Sequence, residues 1–309
     1  MRVELRSFAL GLAVALALPV AACGSKKPAG LMLAITTDLT MTKDLDEVGV
    51  YVLADGRPLL TQSYAIGPGV RLPSTLAIAP PINPPSLIRV RVVGYKGGNG
   101  RILREASTTV PTERLGVLPL PLRWIDDGSA LGTELDFQLN PYASARAKCP
   151  DGQTANLGAC VDALVPEAKL ADYDPAAIFG GGSDGAGSCF PVATCFATRT
   201  AVVVDEPTCT FTKTGAAGQA DFNVAVVTNG DGDVQGSDAL VALDQGSEWT
   251  VTGDVVTLPK ALCTAPVRSR WKSIVVSAAC GAGASAPGSV KTARFPACGA
   301  YATGSPIAP

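Results

Sequence analysis

Nine cysteines and no histidine set the limits of the chemistry this chain of 309 residues can perform. Without an imidazole there is no base for a Ser-His-Asp or Cys-His site and no ligand for the common catalytic zinc centres. Eight of the cysteines crowd the second half: Cys149, Cys160, Cys189, Cys195, Cys209, Cys263, Cys280 and Cys298. An even set reads as disulfides wherever the compartment is oxidising, with about a hundred possible pairings. Zinc is the competing reading, but no C-x2-C pair is present. Cys149 and Cys160 enclose the turn-rich stretch Pro-Asp-Gly-Gln-Thr-Ala-Asn-Leu-Gly-Ala, a loop that looks clasped by its own disulfide. The densest run of oxygen ligands is Asn229 to Asp238. Asp231, Asp233 and Gln235 stand where the first three side-chain ligands of an EF-hand-type calcium loop would stand. Ala242 then occupies the place of the bidentate acid, so a hairpin turn between Val227 and Leu240 is the better reading. Hydrolysis by two carboxylates is the enzymatic route left open. Acids such as Asp205, Glu206, Asp221 and Asp254 are available, but spacing along a chain does not show convergence. Trp124, Trp249 and Trp271 read as core residues ahead of a sugar-stacking platform. No cofactor is called for.

The ninth cysteine stands apart. Arg2 and Arg6 precede an apolar run from Phe8 to Leu18, which ends at Val20-Ala21-Ala22-Cys23. Basic start, short apolar run and small residues are the layout of a secretory signal. The run is too short for a permanent membrane span. Aliphatic-small-small-Cys resembles the lipobox of bacterial lipoproteins. The resemblance implies that the Cys23 thiol receives a diacylglyceryl group and becomes the first residue of the mature chain. Gly24 follows, where an Asp would hold such a protein at the inner membrane, so the resemblance points to the outer membrane. Lys26 and Lys27 then lie where lipid headgroups favour basic residues, though Gly24 to Gly30 reads equally well as a solvated spacer.

The elements behind these residues read as strands. Charged residues are sparse (17%), while Gly (33) and Pro (24) are plentiful, which favours many short strands over long helices. A net charge of −2 gives no reason to expect nucleic acid. Leu31–Thr36, Val48–Leu53, Leu72–Ala79, Leu87–Tyr95, Ile102–Val110 and Leu115–Leu122 carry strand patterns. Gly97-Gly98-Asn99-Gly100 joins two of them as a hairpin. In Leu87–Tyr95, Ile88, Val90 and Val92 face one way and Arg89 and Arg91 the other, predicting one buried and one solvated face. Two prolines mark Leu115–Leu122 as an edge strand. Strand patterns return at Thr200–Val204, Cys209–Lys213, Phe222–Thr228, Ala239–Leu243, Glu248–Thr252, Val255–Leu258 and Ile274–Ala278. Between the two sets, Asp172 and Asp174 read as a turn before Pro175, and Phe179 to Ser188 as a Gly/Ser-rich linker.

Several phrases together resemble a group of outer-membrane lipoproteins from myxobacteria and similar Gram-negative bacteria. They are the lipobox, Cys149-Pro-Asp-Gly-Gln-Thr154, Asp172-Tyr-Asp-Pro-Ala-Ala-Ile-Phe-Gly-Gly-Gly182 and Cys189-Phe-Pro-Val-Ala-Thr-Cys195-Phe. The group has no established activity, so it carries over no catalytic residues. Its clasp often holds a further cysteine after the threonine. Ala155 stands there in this chain, which supports a simple Cys149–Cys160 pair.

The expected protein is mostly β. A signal at 1–22 and a lipidated tether at 23–30 precede an immunoglobulin-like antiparallel sandwich at 31–125. A Cys-clasped and Gly-rich linker at 126–188 leads to a disulfide-rich second β domain at 189–303 and a tail at 304–309. The expected role is that of a lipid-anchored module of the outer membrane, without enzymatic activity, that binds, adheres or supports the envelope. Its partners are then the membrane and an envelope protein or polysaccharide. The alternatives are a carboxylate-pair hydrolase of extracellular polymer and an accessory subunit of an envelope complex. Reduction is expected to weaken the C-terminal half far more than residues 30–124, which hold no cysteine.

Overall fold

Alternating apolar residues assemble the first sandwich. The computed structural model describes residues 29–39, 41, 43–67, 69–79, 87–131, 146–179, 190–218, 221–228, 239–280, 290–293 and 297. Seven strands open it: β1 (Gly30–Thr37), β2 (Glu47–Ala54), β3 (Arg57–Ala65), β4 (Ser74–Ile78), β5 (Leu87–Lys96), β6 (Asn99–Thr109) and β7 (Leu115–Leu122). One sheet runs β3-β2-β5-β6, and β4, β1 and β7 lie side by side in the other. Leu31, Leu33 and Ile35 meet Val48, Val50 and Val52, Ile88, Val90 and Val92, and Leu118, Leu120 and Leu122 in one core. The molecule shares the immunoglobulin-like sandwich architecture, though not its strand order. All pairings in the sandwich are antiparallel except β1 with β7, which run parallel.

Two details differ from the sequence expectation. The second face of β5 is not wet. Arg91 is 5% exposed and sits directly opposite Glu105, itself 2% exposed. Arg91 Nε and Arg89 Nε donate to the two carboxylate oxygens of Glu105 at 2.9 and 2.6 Å. Farther along that face, Val93, Tyr95, Tyr51, Leu103 and Ala130 form a second small apolar cluster. A strand buried on both faces thus keeps its polar residues by pairing them. The other difference is β7, which has a neighbour on each side, β1 and the short strand at Ala171–Asp172. Its prolines still obey the edge rule. The Leu115 carbonyl accepts from Tyr173 N–H on the outer side, and residues 117, 119 and 121 share that side by strand alternation. Only Val117 and Gly116 are paired there, so Pro119 and Pro121 face a side whose pairing has already ended.

Residues 124–179 run along the sandwich. A 3-10 turn at Trp124–Asp126 leads to β8 (Ala130–Leu131), which pairs with β9 (Arg146–Ala147). The hairpin β10 (Gln153–Asn156) and β11 (Ala159–Asp162) follows, and then β12 (Ala171–Asp172) on β7. Ser107 N–H donates to the Ala163 carbonyl and Glu105 N–H to Thr154 Oγ1, so this segment covers the β6 edge. Asp174 Oδ1 accepts from Ala176 N–H and starts α1 (Pro175–Phe179), the turn expected there.

The second unit has α2 (Val192–Cys195), β13 (Thr200–Val202), β14 (Thr210–Thr212), β15 (Phe222–Thr228), β16 (Leu240–Ala242), β17 (Thr250–Thr252), β18 (Val255–Thr257), α3 (Ala265–Arg268) and β19 (Trp271–Ala278). Its sheets run β13-β19-β15-β16 and β14-β18-β17. All of β15 is buried, which explains its apolar run Val224–Val227. One face, with Val224, Val226, Ile274 and Val276, joins the same core that begins at Leu31. The other, with Ala225, Val227 and Val275, packs under Phe190 and Phe196. The three tryptophans are buried, as expected. Among the described residues no helix is long and apolar enough to cross a membrane.

Candidate functional site at the junction of the two units

Three disulfides are formed among the described cysteines. Cys149–Cys160 is one, with the Cα atoms 5.5 Å apart. Cys195–Cys280 fastens α2 to the end of β19, and Cys209–Cys263 ties the start of β14 to the 3-10 turn at Lys260–Cys263. Cys23, Cys189 and Cys298 lie outside the described residues, as do Asp231, Asp233 and Gln235. None of the acids Asp205, Glu206, Asp221 and Asp254 lines the cleft at the junction of the two units. Asp205 Oδ2 accepts from the neighbouring Thr208 hydroxyl, and Glu206 pairs with Arg268.

The clasp is the element that brings the two units together. Leu157 and Gly158 both have positive φ (53° and 77°), the turn geometry that continues the twist of a two-residue hairpin. That turn pushes Gly158 against the second unit, where a Cβ on Gly158 would lie 2.2 Å from Ala261 Cβ. From the first unit, Gly158 N–H donates to Asp126 Oδ1 at 2.6 Å, and Arg123 Nη1 donates to Asn156 Oδ1 at 2.9 Å. Arg270 completes the joint. Its Nη2 donates to Asp127 Oδ2 at 3.0 Å and to the Trp124 carbonyl at 3.3 Å, and its guanidinium lies 4.6 Å over the Trp124 ring.

These pieces enclose a cleft of about 170 Å³ with three walls. Residues 125–129 form one, the clasp with its disulfide the second, and Pro266, Val267 and Arg270 the third. Asp126 and Lys148 are among its lining residues. Asp126 is 4% exposed, and its Oδ2 has no hydrogen-bond partner among the described residues. Burial pushes its carboxyl up, against the pull of the Gly158 N–H, Arg123 and Arg104. Asp127, its chain neighbour, is held by Arg101 and Arg270. The cleft therefore offers one carboxylate with a spare oxygen. Its second acid is on the same wall and is bound to two guanidiniums.

No family model, no curated protein and no solved structure matches this chain.

Behind the cleft lies a second polar cluster, assembled from five distant points of the chain. Arg123 Nε lies 3.0 Å from Glu248 Oε1, and Glu248 Oε2 accepts from Asp244 N–H at 2.6 Å. Lys291 Nζ donates to Asp244 Oδ1, and Lys291 N–H to Asn223 Oδ1 at 2.7 Å. Asp38 Oδ1 accepts from Trp124 N–H at 2.7 Å and faces Arg123, Lys291 and Asp244. Glu248 is 7% exposed. Burial first, then the neighbouring Asp244 and Asp38, push its carboxyl up to about 8. Burial likewise pushes Asp38 up to about 6. Sequence reasoning missed this cluster because no two of its pieces share a motif. Glu248 was legible only as the start of an expected strand.

Proposed function

We propose that this chain is a lipid-anchored protein of the outer membrane that works as a non-enzymatic binding, adhesive or structural module, related to the myxobacterial-type lipoproteins it resembles. The anchor rests on the Val20-Ala21-Ala22-Cys23 sequence. Acylation at Cys23 adds more than one chain, which is what stable anchoring requires. The binding role draws its support from the junction cleft. One of its walls is cross-linked by Cys149–Cys160, and among its lining residues only Asp126 has a spare acid oxygen, because Asp127 is taken up by Arg101 and Arg270. Two carboxylates flanking a bond, as glycoside hydrolysis needs, are not arranged there.

The anchor is tested by fractionating cells that express wild type or Cys23→Ala while labelling with palmitate. The expected result is label and membrane association in wild type only, and identical unlabelled fractions would refute it. The binding role is tested by incubating the mature protein with envelope polysaccharide and peptidoglycan, scoring retention and turnover separately. Retention without turnover is expected.

One observation favours the hydrolase as a second reading. A carboxyl raised by burial beside an open cleft is the setting of a general acid. Turnover lost in Asp126→Asn would establish it.

A further inference from the structure

The cluster behind the cleft holds three carboxyls, Asp38, Asp244 and Glu248, against two cations, Arg123 and Lys291. Arg123 also faces Asp126 and Arg104 on its sandwich side. Among the described residues, Asn156 of the clasp and Asn223 of β15 add neutral polar groups to the cluster. Fully ionised, the five groups carry one excess negative charge in a site where Glu248 and Lys291 are buried and the other three half-buried, and that charge is costly to keep. Holding one proton removes it. The contributors come from both units: Asp38 and Arg123 flank the first sandwich, while Asp244, Glu248 and Lys291 belong to the second. Arg123 touches Glu248 with one edge of its guanidinium and Asn156 at the clasp tip with another. Charge on Glu248 is thereby coupled to the wall of the cleft.

We propose that this cluster is a proton-operated latch. While one carboxyl is protonated it holds the two units and the clasp in register, and loss of that proton loosens the junction. The latch needs no ligand and stands apart from what the cleft binds.

The sign follows from where the proton is held more tightly. The closed state raises Glu248 from its ordinary 4.5 to about 8, so the opened state releases the proton first. The latch is at full strength below about pH 4.5 and weakens as pH rises, levelling off near 8. Two backbone amides report on it directly: Asp244 N–H, which donates to Glu248, and Trp124 N–H, which donates to Asp38.

The experiment is amide exchange on the full-length mature protein in detergent, at intervals from pH 6 to 8, corrected for the intrinsic pH dependence of exchange. Protection at both amides is expected to fall by up to roughly tenfold per pH unit in wild type. In Glu248→Gln the two remaining acids match the two cations, and protection is expected to change by less than about threefold over the range. Lys291→Met removes a cation and serves as a second variant should Glu248→Gln not fold. It is expected to show lower protection than wild type already at pH 6. A flat wild-type profile overturns the proposal, as does a Glu248→Gln profile as steep as wild type or a Lys291→Met protein protected like wild type at pH 6.

Discussion

Glu105 shows how one buried acid organises a sheet face. Both its oxygens are taken by arginines of the adjacent strand, and the Arg91 guanidinium is almost as buried as the carboxylate. Removing the acid would leave Arg91 without its main counter-charge in a low-dielectric site. Glu105→Ala is therefore expected to cost about 3–5 kcal/mol in chemical denaturation, the range for breaking a buried pair from one side. Arg89, about a third exposed, recovers water and adds little to that loss. Arg89→Ala should cost under about 1 kcal/mol, and equal costs for the two variants would refute the asymmetry. The alternation of Ile88, Val90 and Val92 announced the strand, but not its second face. Burial of Arg91 depends on the register that sets it opposite Glu105, and register is a property of two strands together.

At the scale of elements the clasp carries the most information. Gly158 has a backbone φ of 77° and no room for a methyl group before Ala261. Gly158→Ala meets both obstacles. The positive φ alone costs about 1–2 kcal/mol, and the clash with Ala261 should raise the total above that. A thermal midpoint unchanged from wild type would show that the clasp tip can withdraw from the junction. Cutting the disulfide with Cys149→Ser and Cys160→Ser together should cost about 3 kcal/mol on the chain-entropy model. The hairpin was legible from its turn residues and flanking cysteines, and most strands were legible from their β-branched and apolar patterns. β3 was not. Arg57–Ala65 is mostly exposed or half-buried, so it shows no alternation, and its pairing with β2 comes from the Asp55-Gly56 turn before it. Disulfide partners over 85 and 54 residues were equally beyond local reading, because the sheet order decides them.

At the scale of the whole molecule the two units share buried apolar contacts. Leu31 of the first sandwich and Ile274 of the second unit belong to one continuous apolar core, and Leu170 between them joins it. Arg270 on Asp127, Arg123 on Glu248 and the clasp tip on Ala261 add polar and steric ties across the same joint. With the core shared, loss of either unit exposes apolar surface on the other. The two should therefore melt as one cooperative transition. The effect of reduction changes accordingly. The sequence points to selective weakening of the C-terminal half, since residues 30–124 contain no cysteine, but a shared core transmits the loss. Denaturation followed by tryptophan fluorescence and by far-ultraviolet circular dichroism should give coincident midpoints before reduction, and again coincident but lower midpoints after it. Amide exchange resolved along the chain supplies the finer test. Amides of β2 and β5 should lose protection on reduction together with those of β15 and β19. Persistent protection in β2 and β5 while β15 and β19 open would mean that the sandwich stands alone.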